Sequence, residues 1–227
     1  MHGSAKANDA VKTDAGLAIF DLDGTLADTR ADLAAAVNAT RRALGLKAIH
    51  LQRVVDALGD GVARLLERTI PERPDIPPSE KRDIWARYYS AHLLDETLAY
   101  PGIPTLLTRL KRLSWRLVVL TNKLDDAAKS VLDGLGLGKR FSLIRGFVPD
   151  LPLKPSPESI RLIVRDSGYN GPRSRIWMIG DNHTDIRAAR LAGVASCFCR
   201  YGFGHLNGEI PTVTVDKPSE ILGNLTL

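Results

Sequence analysis

Two acidic side chains follow a short apolar run near the start of the chain, in the stretch IFDLDGTLADT at positions 19–29. Asp21 and Asp23 are two residues apart, so in an extended chain they lie about 6.6 Å apart on the same side of the backbone. One carboxylate can then contact a phosphorus atom while the other reaches the oxygen bonded to it. A carboxylate is a usable nucleophile at neutral pH without a base, as in enzymes that form an aspartyl phosphate. The pair therefore predicts phosphoryl transfer.

Polar residues of complementary types follow three further apolar runs. Thr121 and Asn122 follow LVVL, Lys154 comes after the next run, and Asp181 and Asp185 follow IWMIG. Asn122 and Asp181 are also ordinary turn or N-cap residues, and Asp185 suits the first turn of a helix, so the set carries the argument rather than any single member. Ligands of open α/β sheets bind beyond the carboxyl ends of the strands, where we expect these side chains to meet. Lys154, Thr121 and Asn122 would stabilise the phosphoryl oxygens.

The acidic residues also predict a divalent cation. A carboxylate nucleophile must approach a phosphate dianion, and Mg²⁺ held by oxygen ligands would neutralise that repulsion. We expect the ligands to be Asp21, Asp181 and a backbone carbonyl near Asp23. Asp23 would protonate the leaving oxygen and then deprotonate the water that splits the intermediate. Gly24 and Thr25 would let the chain turn sharply beside the phosphate.

Short apolar runs alternate with helical patterns from Leu17 onwards, which predicts an α/β fold with a doubly wound parallel sheet. The predicted helices span residues 103–113, 125–135, 156–167, 184–191 and 218–224. The predicted strands are Leu17–Phe20, Leu117–Leu120, Phe141–Ile144, Ile176–Ile179, Ala195–Phe198 and Thr212–Val215.

The alternation is interrupted between Phe20 and Leu117, where the sequence has helical periodicity and no convincing strand. Thr29 and Asp32 match a capping box at the start of a helix that Gly45 would end. The stretch YPGI at 100–103 would be the hinge back to the sheet. We therefore predict a core formed by residues 17–26 and 99–227, an inserted helical cap at 27–98, and a flexible N-terminal tail at 1–16.

Composition narrows the classes of function. The 227 residues carry a net charge of +5, and residues 99–227 hold eighteen basic and eleven acidic side chains. This excess is spread along the segment, which favours a small anionic substrate over nucleic acid.

No apolar run approaches the ~20 residues of a membrane span. Cys197 and Cys199 match no zinc or redox spacing and are typical of a core strand. We expect a cytoplasmic monomer or homodimer that acts on a small phosphorylated metabolite.

Taken together, the motifs resemble those of the haloacid dehalogenase superfamily. Asp21 and Asp23 match its D-x-D-G-T motif, and Thr121 matches the Thr or Ser of the second motif. Lys154 in KPSP matches the third-motif lysine, and GDNHTD at 180–185 matches the acidic fourth motif. The resemblance implies a Rossmann-like core, a Mg²⁺ cofactor, the covalent mechanism above and a helical cap between the first two motifs. Members that cleave carbon–halogen bonds lack the second acid, so Asp23 favours phosphomonoesters.

Within the superfamily, DLDGTLADT, GDGVARLLERTI, YPGI, TNK and KPSPESI are similar to the phosphoglycolate phosphatase subfamily. There a G-x-G loop of the cap, here residues 59–61, closes over the site and helps to select the substrate. Asp60 would disfavour a second anion nearby, whereas Arg64 or Arg68 could supply positive charge; each arginine is equally typical of a solvated helix face. The segment RGFVPDLPLK at 145–154 and His183 depart from the subfamily pattern.

The resemblance implies phosphoglycolate as the best single substrate, with sugar phosphates, nucleoside monophosphates and pyrophosphate as alternatives. A phosphomutase related to β-phosphoglucomutase and a non-enzymatic phosphate-binding module also stay open. We assign catalysis to Asp21, Asp23, Thr121 and Lys154, metal binding to Asp21, Asp23 and Asp181, a supporting position to Asp185, and substrate binding to Thr25, Asn122, Gly59, Asp60, Gly61 and Arg64.

Overall fold

The computed structural model describes residues 13–225. Its strands are β1 Gly16–Phe20, β2 Ala27–Asp28, β3 Leu98–Ala99, β4 Trp115–Leu124, β5 Leu143–Phe147, β6 Ile176–Gly180, β7 Ala195–Cys199 and β8 Val213–Val215. Its helices are α1 Arg30–Ala43, α2 Leu51–Val55, α3 Val62–Thr69, α4 Pro78–Ala91, α5 Ile103–Arg112, α6 Asp125–Gly134, α7 Pro157–Asp166, α8 His183–Ala192 and α9 Ile221–Leu225. None of the helices within this range is long and apolar enough to cross a bilayer.

Six strands form one parallel sheet in the order β5-β4-β1-β6-β7-β8. Successive side chains of a strand point to opposite faces, and β1 is buried on both. Ala18 and Phe20 pack with α5, α6 and α9 on one face, whereas Leu17 and Ile19 pack with α7 and α8 on the other. Helices on both faces and parallel neighbours confirm the predicted doubly wound, Rossmann-like α/β core.

The register brings three strand ends to the same edge of the sheet. Phe20, the last residue of β1, lies opposite Val119 of β4 and Ile179 of β6. Strand β4 runs on to Leu124, past the predicted end at Leu120, with a register shift against β5 between these two residues. The residues predicted to form a turn after this strand therefore lie within it, on the portion that extends beyond β1.

Helices α1–α4 form the segment between β2 and β3, which we call the helical insert. Its helices share a hydrophobic cluster that includes Val37, Leu66, Ile70 and Trp85. Strands β2 and β3 pair antiparallel, Ala27 with Ala99 and Asp28 with Leu98, and so join the two ends of the insert. The sequence did not indicate this ribbon, because strands of two residues carry no periodic pattern.

The predicted capping box at the start of α1 is wrong. Thr29 is the residue before α1, but among the described residues its hydroxyl finds no hydrogen-bond partner. The Asp32 carboxylate instead accepts hydrogen bonds from the backbone N–H groups of Glu96 and Thr97 and from the Thr97 hydroxyl at 2.7 Å. Asp32 therefore ties the first helix of the insert to the segment that leaves it. Gly45 follows α1 with a φ of 75°, as the predicted helix stop requires.

The N-terminal segment predicted as a tail, 1–16, lies mostly outside the described residues. Its last part is attached to the sheet: Ala15 N donates to Ser114 O at 3.0 Å, and Asp14 pairs with Arg116 at 2.7 Å. Gly16 is the first residue of β1. Strand β1 therefore begins before the predicted boundary at residue 17.

Candidate active site

The centre of the site is a buried group of charged side chains at the carboxyl ends of β1 and β6, in which one lysine lies between two aspartates. Asp21 follows β1, and its N–H donates to Ile179 O at 2.9 Å, which continues the pairing with β6. Lys154 Nζ lies 2.8 Å from Asp21 Oδ1 and 2.6 Å from Asp185 Oδ1. The Lys154 side chain is 1 % exposed and that of Asp21 11 %, so this ion pair is shielded from water.

Asp185 is fixed by the start of helix α8. Its carboxylate accepts a hydrogen bond from Asn182 N at 3.0 Å, and the Asn182 side chain accepts one from Thr184 N at 3.3 Å, which together form a capping box. A Cβ atom on Gly180 would lie 2.2 Å from the Asp185 carboxylate, so only glycine fits beside it. The supporting position predicted for Asp185 therefore lies directly against Lys154.

Asp181, the residue after β6, is held by two loops. Its Oδ2 accepts hydrogen bonds from Phe203 N at 2.9 Å and Gly204 N at 2.8 Å, and its Oδ1 accepts one from the Thr25 hydroxyl at 3.4 Å. Thr25, predicted to bind the substrate, is fully buried and contacts this carboxylate. Sequence reasoning missed the contribution of residues 203–204, because backbone donors in an irregular loop leave no residue-type signature.

Asp21, Asp181 and Asp185 form a buried acidic group whose ligand oxygens all lie within 4.8 Å of one another. Burial raises the pKa of Asp21 to about 6, although Lys154 opposes the shift. Burial, followed by the charge of Asp21, raises the pKa of Asp181 well above its ordinary value. Burial disfavours the charge of Lys154, but the carboxylates of Asp185 and Asp21 outweigh it and raise the pKa of the ammonium.

The charge and the donor set of this group fit a divalent cation. Three carboxylates and one ammonium leave two negative charges uncompensated when every group is ionised. Asp21 Oδ1 is buried and lies 2.8 Å from the Lys154 ammonium. An oxygen-rich, anionic site of this kind suits Mg²⁺. Asp21 and Asp181 were predicted ligands, whereas Asp185 was not.

Asp23 lies apart from this acidic group and has its own cation. Its carboxylate accepts hydrogen bonds from Lys123 Nζ at 3.0 and 3.3 Å, and its side chain is 22 % exposed. The Lys123 ammonium is buried and also contacts the hydroxyl of Tyr89 in helix α4. The sequence offered Lys123 only as part of TNK, and nothing in the helical pattern around Tyr89 distinguished it from other core residues.

Thr121 and Asn122 reach the site from the extended end of β4. Thr121 is buried, and its hydroxyl accepts a hydrogen bond from Lys123 N at 3.2 Å. The Asn122 side chain is used by the protein itself: its Oδ1 accepts from Lys154 N, and its Nδ2 donates to Lys154 O and to Gly59 O at 2.9 Å. Asn122 therefore binds the loop of Lys154 to the helical insert, a role that its predicted contact with substrate did not include.

The loop at residues 59–61 lies over this edge of the sheet. Gly59 has a φ of 108°, and a Cβ atom there would lie 2.5 Å from the Asn182 amide, so a side chain would push the loop away from the core. Asp60 turns aside and pairs with Arg68 at 2.6 Å. Arg64 is exposed and pairs with Glu67 at 2.6 Å; in the part of the chain that the structure describes it is absent from the cavity lining. Its predicted contact with substrate stays a prediction.

A cavity of about 70 Å³ lies between the sheet edge and the helical insert. Its floor is polar, and its roof, formed by the insert, the end of β4 and the loop after β7, is mostly apolar. The floor is lined by Asp21, Asp23, Thr121, Asn122, Lys123, Lys154, Asp181 and Asn182, and the roof by Leu33, Leu58, Gly59, Gly61, Val62, Leu65, Trp85, Leu124 and Phe203. The structure therefore gathers most of the predicted core residues around one cavity.

Residues 18–199 match the family of haloacid dehalogenase-like hydrolases. The chain belongs to this family. It is 33 % identical over 204 residues to a phosphoglycolate phosphatase of Aquifex aeolicus, covering 90 % of this chain and 93 % of that protein. It is 36 % identical over 207 residues to a phosphoglycolate phosphatase of Chromobacterium violaceum, covering 89 % and 92 %.

Solved structures of the haloacid dehalogenase-like family share the fold. A predicted phosphoglycolate phosphatase from Haemophilus somnus superposes with a TM-score of 0.83 at 27 % identity, over 92 % of this chain and 97 % of that one. A haloacid dehalogenase-like hydrolase from Streptococcus pneumoniae gives 0.81 at 25 % identity, also over 92 % and 97 %. The family match and these relatives show that the chain is a haloacid dehalogenase-like phosphatase.

Proposed function

We propose that this phosphatase is Mg²⁺-dependent and hydrolyses phosphoglycolate through an aspartyl-phosphate intermediate on Asp21. The observation that carries the proposal is the position of Asp21 and Asp23 on the floor of one cavity, each beside its own buried lysine. Of the two acids, Asp21 also belongs to the acidic group. This division supports different roles for two carboxylates of the same type.

In the first half of the proposed reaction, an oxygen of Asp21 attacks phosphorus and the bond to the leaving oxygen breaks. Asp23, in its protonated form, gives its proton to that oxygen as the alcohol departs. Bound Mg²⁺ would neutralise charge between the nucleophile and the phosphoryl group. Asp21, Asp181 and Asp185 would hold it. Lys154 adds positive charge beside Asp21, and the Thr121 hydroxyl lies within the same cavity.

In the second half, Asp23 takes a proton from a water molecule as that water attacks the phosphorus of the intermediate. The bond to Asp21 breaks, inorganic phosphate leaves, and both acids return to their starting protonation states. The proposed cycle therefore consumes one water and one phosphomonoester and needs no other reactant. The backbone carbonyl near Asp23 is proposed as a further oxygen ligand.

The position of the site between the sheet edge and the helical insert, with residues 59–61 over it, supports a small substrate. Asp60 was predicted to repel a second anion, but its ion pair with Arg68 gives that acid a counter-charge. The relatives named phosphoglycolate phosphatase favour this compound among small phosphomonoesters.

The helical insert is proposed to act as the cap, within boundaries of residues 27–98. The hydrogen bond from Asn122 to Gly59 O supports a closed arrangement in which residues 59–61 shield the phosphate from water. The free, buried thiols of Cys197 and Cys199 support a location in the reducing cytoplasm. A monomer or a homodimer is compatible with this proposal.

The decisive experiment measures phosphate release from a panel of phosphomonoesters at saturating Mg²⁺, with the Asp21→Asn variant as the matched control. The panel holds phosphoglycolate, sugar phosphates, nucleoside monophosphates and pyrophosphate. We expect the highest kcat/KM for phosphoglycolate and no turnover by the variant. A higher kcat/KM for another compound would overturn the substrate, an isomerised product without free phosphate would indicate a mutase, and no activity on any compound would overturn the function.

A further inference from the structure

The ammonium of Lys123 lies at the boundary between the sheet and the helical insert. It extends from β4, and its side chain is 3 % exposed. On one side it donates to both oxygens of Asp23, and on the other it contacts the hydroxyl of Tyr89, which belongs to helix α4 of the insert. One buried cation therefore connects the second acid of the site to the insert.

Tyr89 is held firmly by its surroundings. Its side chain is 1 % exposed, and its ring stacks on Trp85 with 4.6 Å between ring centroids. Lys123 Nζ lies 4.7 Å from the centroid of the Tyr89 ring, on the side of the hydroxyl that it contacts. A buried lysine has three donors to satisfy and gains from a fixed acceptor, because an unsatisfied buried donor is costly.

We propose that Tyr89 and Lys123 are positioning residues that align Asp23 for proton transfer to the leaving group, and that this alignment is complete only while α4 is seated on the sheet. The proposal rests on the proposed function and deepens it. Asp23 has partial access to solvent, and the lysine that contacts both of its oxygens restricts the carboxylate. The tyrosine in turn restricts the lysine. Neither residue is proposed to exchange a proton with the substrate.

A purely structural role for Tyr89 makes a different prediction. If the hydroxyl only stabilised the insert, its loss would affect all substrates alike. A misaligned general acid matters in proportion to the basicity of the leaving oxygen, since a stable leaving anion departs without being protonated. An alkyl phosphate such as phosphoglycolate needs that proton, whereas p-nitrophenyl phosphate does not. The ratio of the two rates therefore reports on Asp23 rather than on the fold.

The test compares Tyr89→Phe with Tyr88→Phe, a matched control on the same helix whose ring stacks on His92. The first substitution retains the ring and removes only the hydroxyl. We expect Tyr89→Phe to lower kcat for phosphoglycolate about 10-fold, a part of the 10²–10⁴-fold contribution of general acid catalysis. We expect its KM, and its kcat for p-nitrophenyl phosphate, to stay within about twofold of wild type. Tyr88→Phe should change neither rate.

A double variant gives the second readout. With Asp23 replaced by Asn there is no acid left to align, so adding Tyr89→Phe should lower the residual activity no further. Lys123→Gln provides an independent variant if the tyrosine substitution fails to fold, and we expect it to show the same dependence on the leaving group. Lys123→Arg keeps the charge and should recover part of the loss.

Equal losses for both substrates, or additive losses in the Asp23→Asn background, would overturn the inference and leave the proposed function intact. Wild-type protein that releases phosphate from neither substrate would instead overturn the proposed function and this inference with it. The two failures are therefore distinguishable in the same set of assays.

Discussion

Lys154 Nζ lies 2.8 Å from Asp21 Oδ1 in a part of the site where both side chains are buried. The lysine is shared, because Asp185 Oδ1 lies 2.6 Å from the same nitrogen. Opposite charges taken out of water depend on each other, and removal of the one ammonium leaves the carboxylates uncompensated. The stability and the chemistry of this site are therefore coupled through one ammonium group.

Replacement of Lys154 by Met should be costly in the absence of Mg²⁺. The variant leaves Asp21, Asp181 and Asp185 together with no cation, and breaking a buried ion pair costs about 3–5 kcal/mol. We expect an unfolding free energy lower by about 3 kcal/mol in urea titrations with EDTA, and phosphatase activity lower by at least about 10²-fold, as for loss of one stabilising donor.

Lys129→Met is the matched control for that substitution. Lys129 is exposed on α6 and pairs with Asp125 at 2.5 Å, so its removal should cost less than about 1 kcal/mol. Equal stability losses for the two variants would contradict the view that burial makes the Lys154 pair important.

The Asp21→Asn variant should be inactive but at least as stable as wild type when metal is absent. Burial raises the pKa of Asp21 to about 6 from 3.8, so at pH 7.5 the folded protein holds an unfavourable charge that asparagine lacks. We expect no turnover of phosphoglycolate and an equal or higher Tm in EDTA. The Tm advantage should shrink at pH 5, where wild-type Asp21 is mostly protonated. Measurable turnover would exclude Asp21 as the nucleophile.

The parallel core and its acidic edge were predictable because each depends on local residue types. Buried strands such as β1 and β6 are short apolar runs, and the register of a parallel sheet then brings Asp21 and Asp181 together. The hydrogen-bond partners of individual side chains were harder to predict, because they depend on the direction in which each side chain points. Asp32 fits a capping box by spacing, yet it accepts hydrogen bonds from Thr97 because the chain returns beside it.

The contacts between the insert and the sheet could not be predicted from the sequence either, because they join side chains of different elements. Nothing in the sequence favoured either Arg64 or Arg68 of helix α3 as the source of positive charge near the site. Only the packing shows that Arg64 is exposed to solvent while Arg68 pairs with Asp60. Tyr89 has the pattern of a core residue, and its ring is one; only its hydroxyl reaches Lys123. Periodicity assigns a side chain to a face of a helix but not to a partner in another element.

Mg²⁺ should stabilise the protein more at pH 7.5 than at pH 5. The pKa values of Asp21 and Asp181 are raised in the metal-free fold, so stability declines as pH rises from the ordinary 3.8 through about 6 for Asp21. A cation favours the ionised carboxylates and offsets this loss. Saturation to about 100 times Kd contributes ~2.7 kcal/mol, which for a chain of this size raises Tm by roughly 5–10 °C.

Thermal unfolding with Mg²⁺ or EDTA at the two pH values checks this prediction. The Asp181→Asn variant, which removes one proposed ligand and one raised pKa, should show a smaller Mg²⁺ effect at pH 7.5. An equal Mg²⁺ effect at both pH values would argue against binding through these carboxylates.

Gly24→Ala should damage the site more than its backbone conformation alone explains. Gly24 has a φ of 84°, and a Cβ atom there would lie 2.0 Å from Asp181 Oδ2, so the carboxylate would have to move.

Gly208 is a matched control, because its φ is 83° and no described atom lies within 4 Å of a Cβ placed on it. We expect Gly208→Ala to cost the conformational ~1–2 kcal/mol and leave activity unchanged. Gly24→Ala should cost more and weaken Mg²⁺ activation at least about 10-fold, since it displaces a proposed ligand. Equal effects of the two substitutions on stability and on the Mg²⁺ dependence of phosphate release would show that Asp181 tolerates displacement and does not hold the cation.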